Sequence, residues 1–254
     1  MTTTNLQQLC EQGQEQLNRM EYLEAEATLV EAERLAFAAR DWDTLSRLYM
    51  PLQEARRQRR QRCGEGVVVL DLIAEGPADH IDGRRIVENY PHGQLLVAGW
   101  GSVEPAMKVR ELQAVHGLFV ETFLAAAYPV GAGRAIVIVP LPDVQLPPPE
   151  PRQIDQLIPL LPAHSIVLAE SELPTGVRKG TWETYGEVMA MWERLHTPFL
   201  AAADMQVDPV QKIDGYRRTI RVDYAAELAH QKLSHTAHAL LRGKGAETAC
   251  PPTT

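Results

Sequence analysis

Glycines and a serine at the end of one apolar, β-type segment are the first residues whose types suggest chemistry. Gly99, Gly101 and Ser102 stand where that segment gives way to a helix. Glycines at such a turn let a phosphate approach free backbone amides. Glu104, however, occupies the position of the third glycine of the dinucleotide-binding fingerprint, and its carboxylate would repel an anion. A capped strand-to-helix turn is therefore the alternative interpretation of this segment.

Acidic residues follow the other β-type segments at comparable positions, namely Glu75, Asp143, and Glu170 with Glu172. Ligands of open parallel α/β sheets bind beyond the carboxyl ends of the strands. Carboxylates gathered there could bind a divalent cation or act as general acid and base. Their convergence depends on strand order, and solvated acidic loops are the alternative. A deep pocket shared by Glu75, Asp143 and Glu170 would favour an enzyme or a small-ligand binder.

The most biased segment of the chain runs from residue 55 to residue 62 and contains five arginines: Arg56, Arg57, Arg59, Arg60 and Arg62. Five guanidinium groups on one helix could contact phosphates or an acidic protein surface. No aromatic residue is interleaved for base stacking. Two hypotheses follow. The arginines form either a surface for a binding partner or a solvated face that balances the acidic surface of the protein itself.

The remaining candidates for chemistry are single residues or incomplete sets. His235 and His238 could share one helix face, but a zinc site needs a third ligand that this helix does not clearly supply, so no metal site is predicted. Asp71 interrupts an apolar segment, and we expect it to accept a structural hydrogen bond. No nucleophile elbow, zinc-protease motif or kinase motif is present. The catalytic residues and any cofactor stay unknown.

Composition limits the classes of protein to consider. The 254 residues are 45% hydrophobic and 23% charged, which is typical of globular proteins, and the net charge of -8 argues against a broad nucleic-acid surface. Cys10, Cys63 and Cys250 are scattered without a CxxC pair, as expected of reduced thiols. The first residues lack the pattern of a secretory signal, and no apolar run could span a bilayer. We expect a cytoplasmic protein without membrane contact.

Apolar residues recur at helical spacing through the first sixty residues and predict helices. Within residues 6–37, small and apolar residues stand at the spacing of a tetratricopeptide-type helical hairpin: Gly13, Tyr22, Ala25, Leu29 and Ala32. This segment resembles one repeat of that family. The aromatic residue early in the first helix, the closing proline and a clear second copy are absent. The resemblance implies two closely packed antiparallel helices.

Four segments of the middle of the chain are nearly continuous in Val, Ile and Leu: 67–74, 94–100, 134–140 and 165–169. Strands buried on both faces have this composition, which favours parallel pairing. Helical segments at 79–89, 102–128 and 154–161 separate them. The alternation predicts an α/β fold with a short, mainly parallel sheet flanked by helices, and with helical N-terminal and C-terminal segments.

The change of pattern along the chain predicts four consecutive segments. These are a helical segment with the hairpin and the basic helix, an α/β core, a second helical segment and a flexible tail, at residues 1–63, 64–178, 179–242 and 243–254. The last helix is expected at about 216–241.

Two functions are compatible with these features. The first is a non-catalytic protein-interaction or assembly protein, which the repeat-like hairpin, the arginine run and the absence of a catalytic motif favour. The alternative is a small-ligand-binding protein or an enzyme that uses loops at the carboxyl edge of the sheet. Fold analogy alone is weak evidence for function, so we favour the interaction protein, with another protein as its partner and its oligomeric state open.

Overall fold

The computed structural model describes the backbone of residues 2–247 and the side chains of residues 5–242. The predicted tail at 243–254 is helical as far as Glu247, and residues 248–254 lie outside the described part. Within the described residues, no helix combines the length and the apolar composition that crossing a bilayer requires.

The described chain folds into α-helices and one six-stranded sheet. The helices are α1 (Thr2–Asn18), α2 (Tyr22–Ala38), α3 (Trp42–Glu65), α4 (Gly83–Asn89), α5 (Glu104–Val115), α6 (Ile154–Leu157), α7 (Trp182–Asp204), α8 (Pro209–Val222) and α9 (Glu227–Glu247). The strands are β1 (Val67–Ile73), β2 (His92–Trp100), β3 (Phe119–Val130), β4 (Gly133–Ile138), β5 (Ile166–Ala169) and β6 (Arg178–Lys179).

The chain divides into two compact units. Among the described residues, the helical unit comprises those up to Arg59 together with those from His196 to Glu247, and the sheet unit spans Arg60–Leu195. The two helical ends of the chain therefore belong to one unit. The sequence predicted four consecutive segments and not this grouping, because the pattern of a segment carries no information about which distant segment it packs against.

The helical unit is built around a core of apolar side chains from α1, α2, α3, α8 and α9. The turn between α1 and α2 is closed by Met20, whose φ of 63° is left-handed. Gly13 lies directly on Leu29, since a Cβ atom added to Gly13 would stand 2.6 Å from Leu29 Cδ2. The close approach of α1 and α2 that small residues permit is therefore present, whereas the resemblance to a tetratricopeptide repeat stays a prediction.

The sheet has the strand order β5-β4-β3-β2-β1-β6. Its centre is parallel, since β2 pairs in parallel with both β1 and β3. The outer pairs, β3 with β4, β4 with β5 and β1 with β6, are antiparallel. The predicted α/β fold with helical ends is confirmed. One face of the sheet packs against α4 and α5 through Val69, Leu95, Val97, Ile86 and Val109.

The prediction of one helix over 102–128 is wrong in its second half. Helix α5 ends at Val115, and Gly117, with a φ of 60°, turns the chain into β3. This strand contains three consecutive alanines, which favour helices by propensity. It is nevertheless the buried third strand of the sheet, because pairing with β2 and β4 outweighs local preference.

The last predicted helix is likewise two helices. Asp223, at the end of α8, is buried, and one of its carboxylate oxygens accepts from the backbone N–H of Ala225 at 3.1 Å. The other oxygen lies 2.7 Å from His196 Nδ1. These contacts hold the bend that separates α8 from α9.

The sheet curls across its width. Arg134, on β4, donates from Nη1 to the carbonyl oxygen of Ala74, which follows β1, at 2.9 Å. Two strands, β3 and β2, lie between β4 and β1 in the strand order, so a flat sheet would keep these residues apart. The curl therefore brings the end of β1 within reach of β4.

Candidate functional site

The predicted glycine turn lines a cavity of about 870 Å³ at the carboxyl ends of β1 and β2. The segment after β1, the start of α4 and the first turns of α5 complete its walls. Gly99 and Ser102 are among its lining residues, as are Trp100, Asp79 and Glu104. This is the position at which parallel α/β sheets bind ligands.

The polar groups of this cavity are largely engaged in building its walls. Asp82 caps α4 by accepting from the backbone N–H of Arg84 at 2.9 Å. Asp79 accepts from the backbone N–H of Glu75 at 2.9 Å, and Ser102 Oγ accepts from that of Glu104 at 3.1 Å. In the described part of the chain, no group of three or more His, Cys, Asp or Glu side chains is arranged to hold a metal ion.

Packing alone accounts for both glycines of the turn. A Cβ atom on Gly99 would lie 2.7 Å from the carbonyl oxygen of Ser102. Gly101 has a left-handed φ of 59°, and a Cβ atom there would lie 2.6 Å from Cγ of Pro149. Pro149 belongs to the proline-rich connector that passes over the turn. A capped strand-to-helix turn thus explains the glycines without a bound phosphate.

Replacing Gly101 with alanine should therefore destabilise the protein by about 2–3 kcal/mol, because backbone strain and a clash with Pro149 add together. Gly117 is a matched control, since its φ is 60° but no heavy atom lies within 4 Å of an added Cβ. Gly117→Ala should show only the backbone effect, about 1 kcal/mol. Urea denaturation of both variants measures the difference. Equal losses would show that the contact with Pro149 is not tight.

The predicted carboxylates do not form one cluster. Glu170, after β5, pairs with Arg134, whose Nε donates at 2.6 Å, and Arg134 also reaches Ala74, the neighbour of Glu75. The structure thus brings Glu170 towards the end of β1. Glu172 instead accepts from the backbone N–H of Ala169 within its own turn. None of these three predicted carboxylates lines the cavity beside Gly99.

Asp143 was expected at the same edge on the assumption that the preceding strand is parallel to its neighbours, and this assumption is wrong. Strand β4 runs antiparallel to β3 and ends at Ile138, opposite Ala125 in the middle of β3, so the chain leaves β4 heading away from the carboxyl edge of the parallel strands. The direction of β4 thus does not support a deep pocket shared by Glu75, Asp143 and Glu170. Asp71 behaves as expected, because its Oδ2 accepts from the backbone N–H of Gly176 at 2.6 Å.

Two of the five arginines, Arg56 and Arg60, are buried in ion pairs and cannot form an exposed partner surface. In the helical unit, Arg56 donates from Nε to Glu26 Oε1 at 3.0 Å, and Arg59 donates to Glu26 Oε2 at 2.8 Å. Burial alone would raise the pKa of Glu26, but the charges of Arg59 and Arg56 and their hydrogen bonds lower it below its usual value. Arg56 also reaches Nε2 of His230 at 3.1 Å.

In the sheet unit, Arg60 is buried against Glu121 of β3. Its Nε donates to Glu121 Oε1 at 2.9 Å, while the amide of Gln94 donates to Glu121 Oε2 at 2.8 Å. Both charged side chains are only 2% exposed. The guanidinium carbon of Arg60 also lies 5.1 Å from the centre of the Trp192 ring. The prediction of a partner surface is thus wrong for Arg56 and Arg60.

The other arginines lie closer to solvent. Arg57 pairs with Glu54, and Arg62 with Glu65, each three residues apart and about half exposed.

The helical spacing of Arg56 and Arg60 indicated their burial, and the sequence analysis missed this. Leu52 and the two buried arginines follow one another at intervals of four residues, so Arg56 and Arg60 continue the buried stripe of α3.

A groove between α1 and α3 was also missed. It has a volume of about 720 Å³ and lies wholly in the helical unit. Apolar groups form its walls and floor: Leu6, Leu29, Leu48, Pro51 and Cys10. Carboxylates stand along it on α1 and around the start of α3: Glu11, Glu15, Asp41 and Asp43. Arg47 is the one cationic side chain among its lining residues.

The chemistry of this groove suits contact rather than catalysis. Cys10 is half-buried, and burial raises the pKa of its thiol, so the unreactive protonated form is favoured. Both carboxylate oxygens of Asp41 accept from Thr44 and cap α3. Asp43 pairs with Arg47 at 2.6 Å. An apolar floor between acidic helices can hold a segment of another chain.

Comparison of the chain with models of protein families, with curated proteins and with solved structures gave no significant match.

Proposed function

We propose that this protein is a non-catalytic protein-interaction protein and that the groove between α1 and α3 binds a segment of its partner. The groove carries the proposal, because it offers apolar walls and a polar rim over a volume that can accept several side chains. It lies on the hairpin whose sequence resembles a repeat used for assembly. Leu6 and Leu48, which reach it, belong to the core of the helical unit, so the floor of the groove is part of that packed core.

The alternative, a small-ligand site at the carboxyl edge of the sheet, has weaker support. A cavity does exist there and includes Gly99 and Ser102. Its polar groups, however, mainly cap α4 and α5, and the carboxylates predicted to work together lie elsewhere. The geometry therefore favours the groove.

Blocking the groove should weaken partner binding. Gln14 is exposed on α1 and lines the groove, so Gln14→Trp places a bulky ring in it without disturbing the core. Peptides selected from a random library on the wild-type protein should bind Gln14→Trp at least about tenfold more weakly, which corresponds to about 1.4 kcal/mol. Fluorescence anisotropy with labelled peptides measures the affinities.

Gln12→Trp is the matched control, since Gln12 is exposed on the same helix but does not line the groove. It should leave the affinities unchanged. The proposal fails if no selected peptide distinguishes the two variants, because binding would then occur elsewhere or not at all.

A further inference from the structure

We infer that the partner segment is cationic and amphipathic, with apolar side chains that enter the groove and Lys or Arg side chains that face its rim. This inference rests on the proposed function of the groove. It names the chemistry of the partner, which the shape of the groove alone does not.

The rim is strongly acidic. Four carboxylates and one guanidinium line the groove, and the guanidinium, that of Arg47, already pairs with Asp43. Glu11 accepts a hydrogen bond from the amide of Gln7, and Asp41 accepts from Thr44. These donors are neutral, so they leave both carboxylate charges in place. A segment with its own carboxylates would be repelled, and one with cations would be attracted.

Glu15 adds to this attraction. It pairs with Arg19, the residue that follows α1, but both side chains are at least 60% exposed. Ion pairs between exposed side chains contribute little and exchange readily with other cations. A Lys or Arg of the partner can therefore replace Arg19 at Glu15 with little loss.

The apolar part of the groove determines the rest of the partner. Leu6, Cys10 and Pro51 present carbon and sulfur atoms that water solvates poorly. The lining residues of α1 extend from Leu6 to Asn18, a rise of about 18 Å along the helix. A segment of that length carries two or three apolar side chains on one face, with cations on either side.

Three labelled peptides of about 14 residues test the inference. One has leucines at helical spacing among lysines, the second has glutamate at every lysine position, and the third has the first composition in a non-amphipathic order. Anisotropy titrations with the full chain should show binding of the first alone. Its affinity should fall at least about tenfold between about 50 mM and about 300 mM salt, since exposed charges are screened.

Two variants with the same net charge separate the groove from general attraction to an acidic protein. Glu11→Gln with Glu15→Gln removes two rim charges and should weaken the binding of the cationic peptide by about fivefold or more. Glu24→Gln with Glu31→Gln removes two charges of α2 that do not line the groove. The logarithm of its affinity for the cationic peptide should decrease by less than half as much.

The outcomes distinguish this inference from the proposed function. Equal weakening by the two double variants, or preferential binding of the acidic or the non-amphipathic peptide, overturns the cationic, amphipathic partner. If the peptide that binds is nevertheless bound by the wild-type protein and not by Gln14→Trp, the groove remains a binding site. If no peptide responds to Gln14→Trp, both proposals fail.

Discussion

Replacing Glu121 with alanine should destabilise the protein by about 3–5 kcal/mol, because it leaves the guanidinium of Arg60 buried without its carboxylate. Glu121 lies on β3 in the centre of the sheet and accepts hydrogen bonds from both Arg60 and Gln94. At 2% exposure neither charged side chain can recover its hydration in the folded state. The ring of Trp192, which also lies beside the guanidinium, compensates only a small part of that loss.

Urea denaturation followed by tryptophan fluorescence measures this effect. Trp192 is a suitable reporter, since its ring stacks on Phe123 with the centroids 4.2 Å apart. Glu65→Ala is the control, because Glu65 pairs with an arginine of the same helix at the surface and should contribute at most about 1 kcal/mol. A loss for Glu121→Ala no larger than for Glu65→Ala would show that the buried pair is not needed for stability.

A double replacement separates the charge from the packing. Arg60→Met with Glu121→Leu removes both charges and keeps much of the volume. It should recover most of the stability lost in Glu121→Ala, because apolar side chains avoid the desolvation of two ions. If the double variant is as unstable as the single one, the hydrogen bond from Gln94 or the shape of the side chains matters more than the ion pair.

The sequence predicted those parts of the fold that depend on local composition. Strands β1, β2, β4 and β5 are rich in Val, Ile and Leu, and each lies within two residues of its predicted start. Strand β3 was missed, because its alanines favour a helix when they are considered alone. Only its position between β2 and β4 makes it a strand, and that position is a property of the tertiary structure.

The same difference between local sequence pattern and tertiary structure decided which expectations for the candidate sites were correct. The turn at Gly99 and Gly101 does lie between a strand and a helix, because a strand pattern, glycines and a helix pattern follow one another in the sequence. The expectation for Asp143 assumed the wrong direction for β4, since that direction is set by the hairpin with β3. The partners of Arg56 and Arg60 are 30 and 61 residues away, so no local pattern could reveal them.

Mild acid should destabilise the helical unit through His230. This side chain is buried on α9, where Nδ1 faces the carbonyl oxygen of Ala226 at 2.9 Å and Nε2 faces Arg56 Nη1 at 3.1 Å. The guanidinium can only donate, so Nε2 accepts and the ring is neutral with its proton on Nδ1. Burial, and after it the charge of Arg56, lower the pKa of His230 to about 3, although the contact with Ala226 and the carboxylates of Asp223 and Glu26 oppose the shift.

The direction of the pH effect follows from this lowered pKa. In the unfolded chain the imidazole takes up a proton near pH 6.5, whereas in the folded protein it stays neutral down to about pH 3. Between these values the unfolded state binds more protons, so the free energy of unfolding decreases as the pH falls. The decrease due to His230 should amount to about 1–2 kcal/mol between about pH 7 and about pH 5. Glu26, whose pKa is also lowered, adds to the loss only nearer its ordinary pKa of 4.5.

Urea denaturation at several pH values between about 7 and about 5 tests the assignment. His230→Gln keeps an oxygen that can accept from Arg56 but cannot titrate, so its stability should change less with pH than that of the wild-type protein. His235→Gln is the control, since His235 is exposed on the same helix, and it should retain the wild-type dependence. The same pH dependence in His230→Gln as in the wild-type protein would mean that His230 takes up a proton as readily in the folded state as in the unfolded state, and the buried contact with Arg56 would then have to open in mild acid.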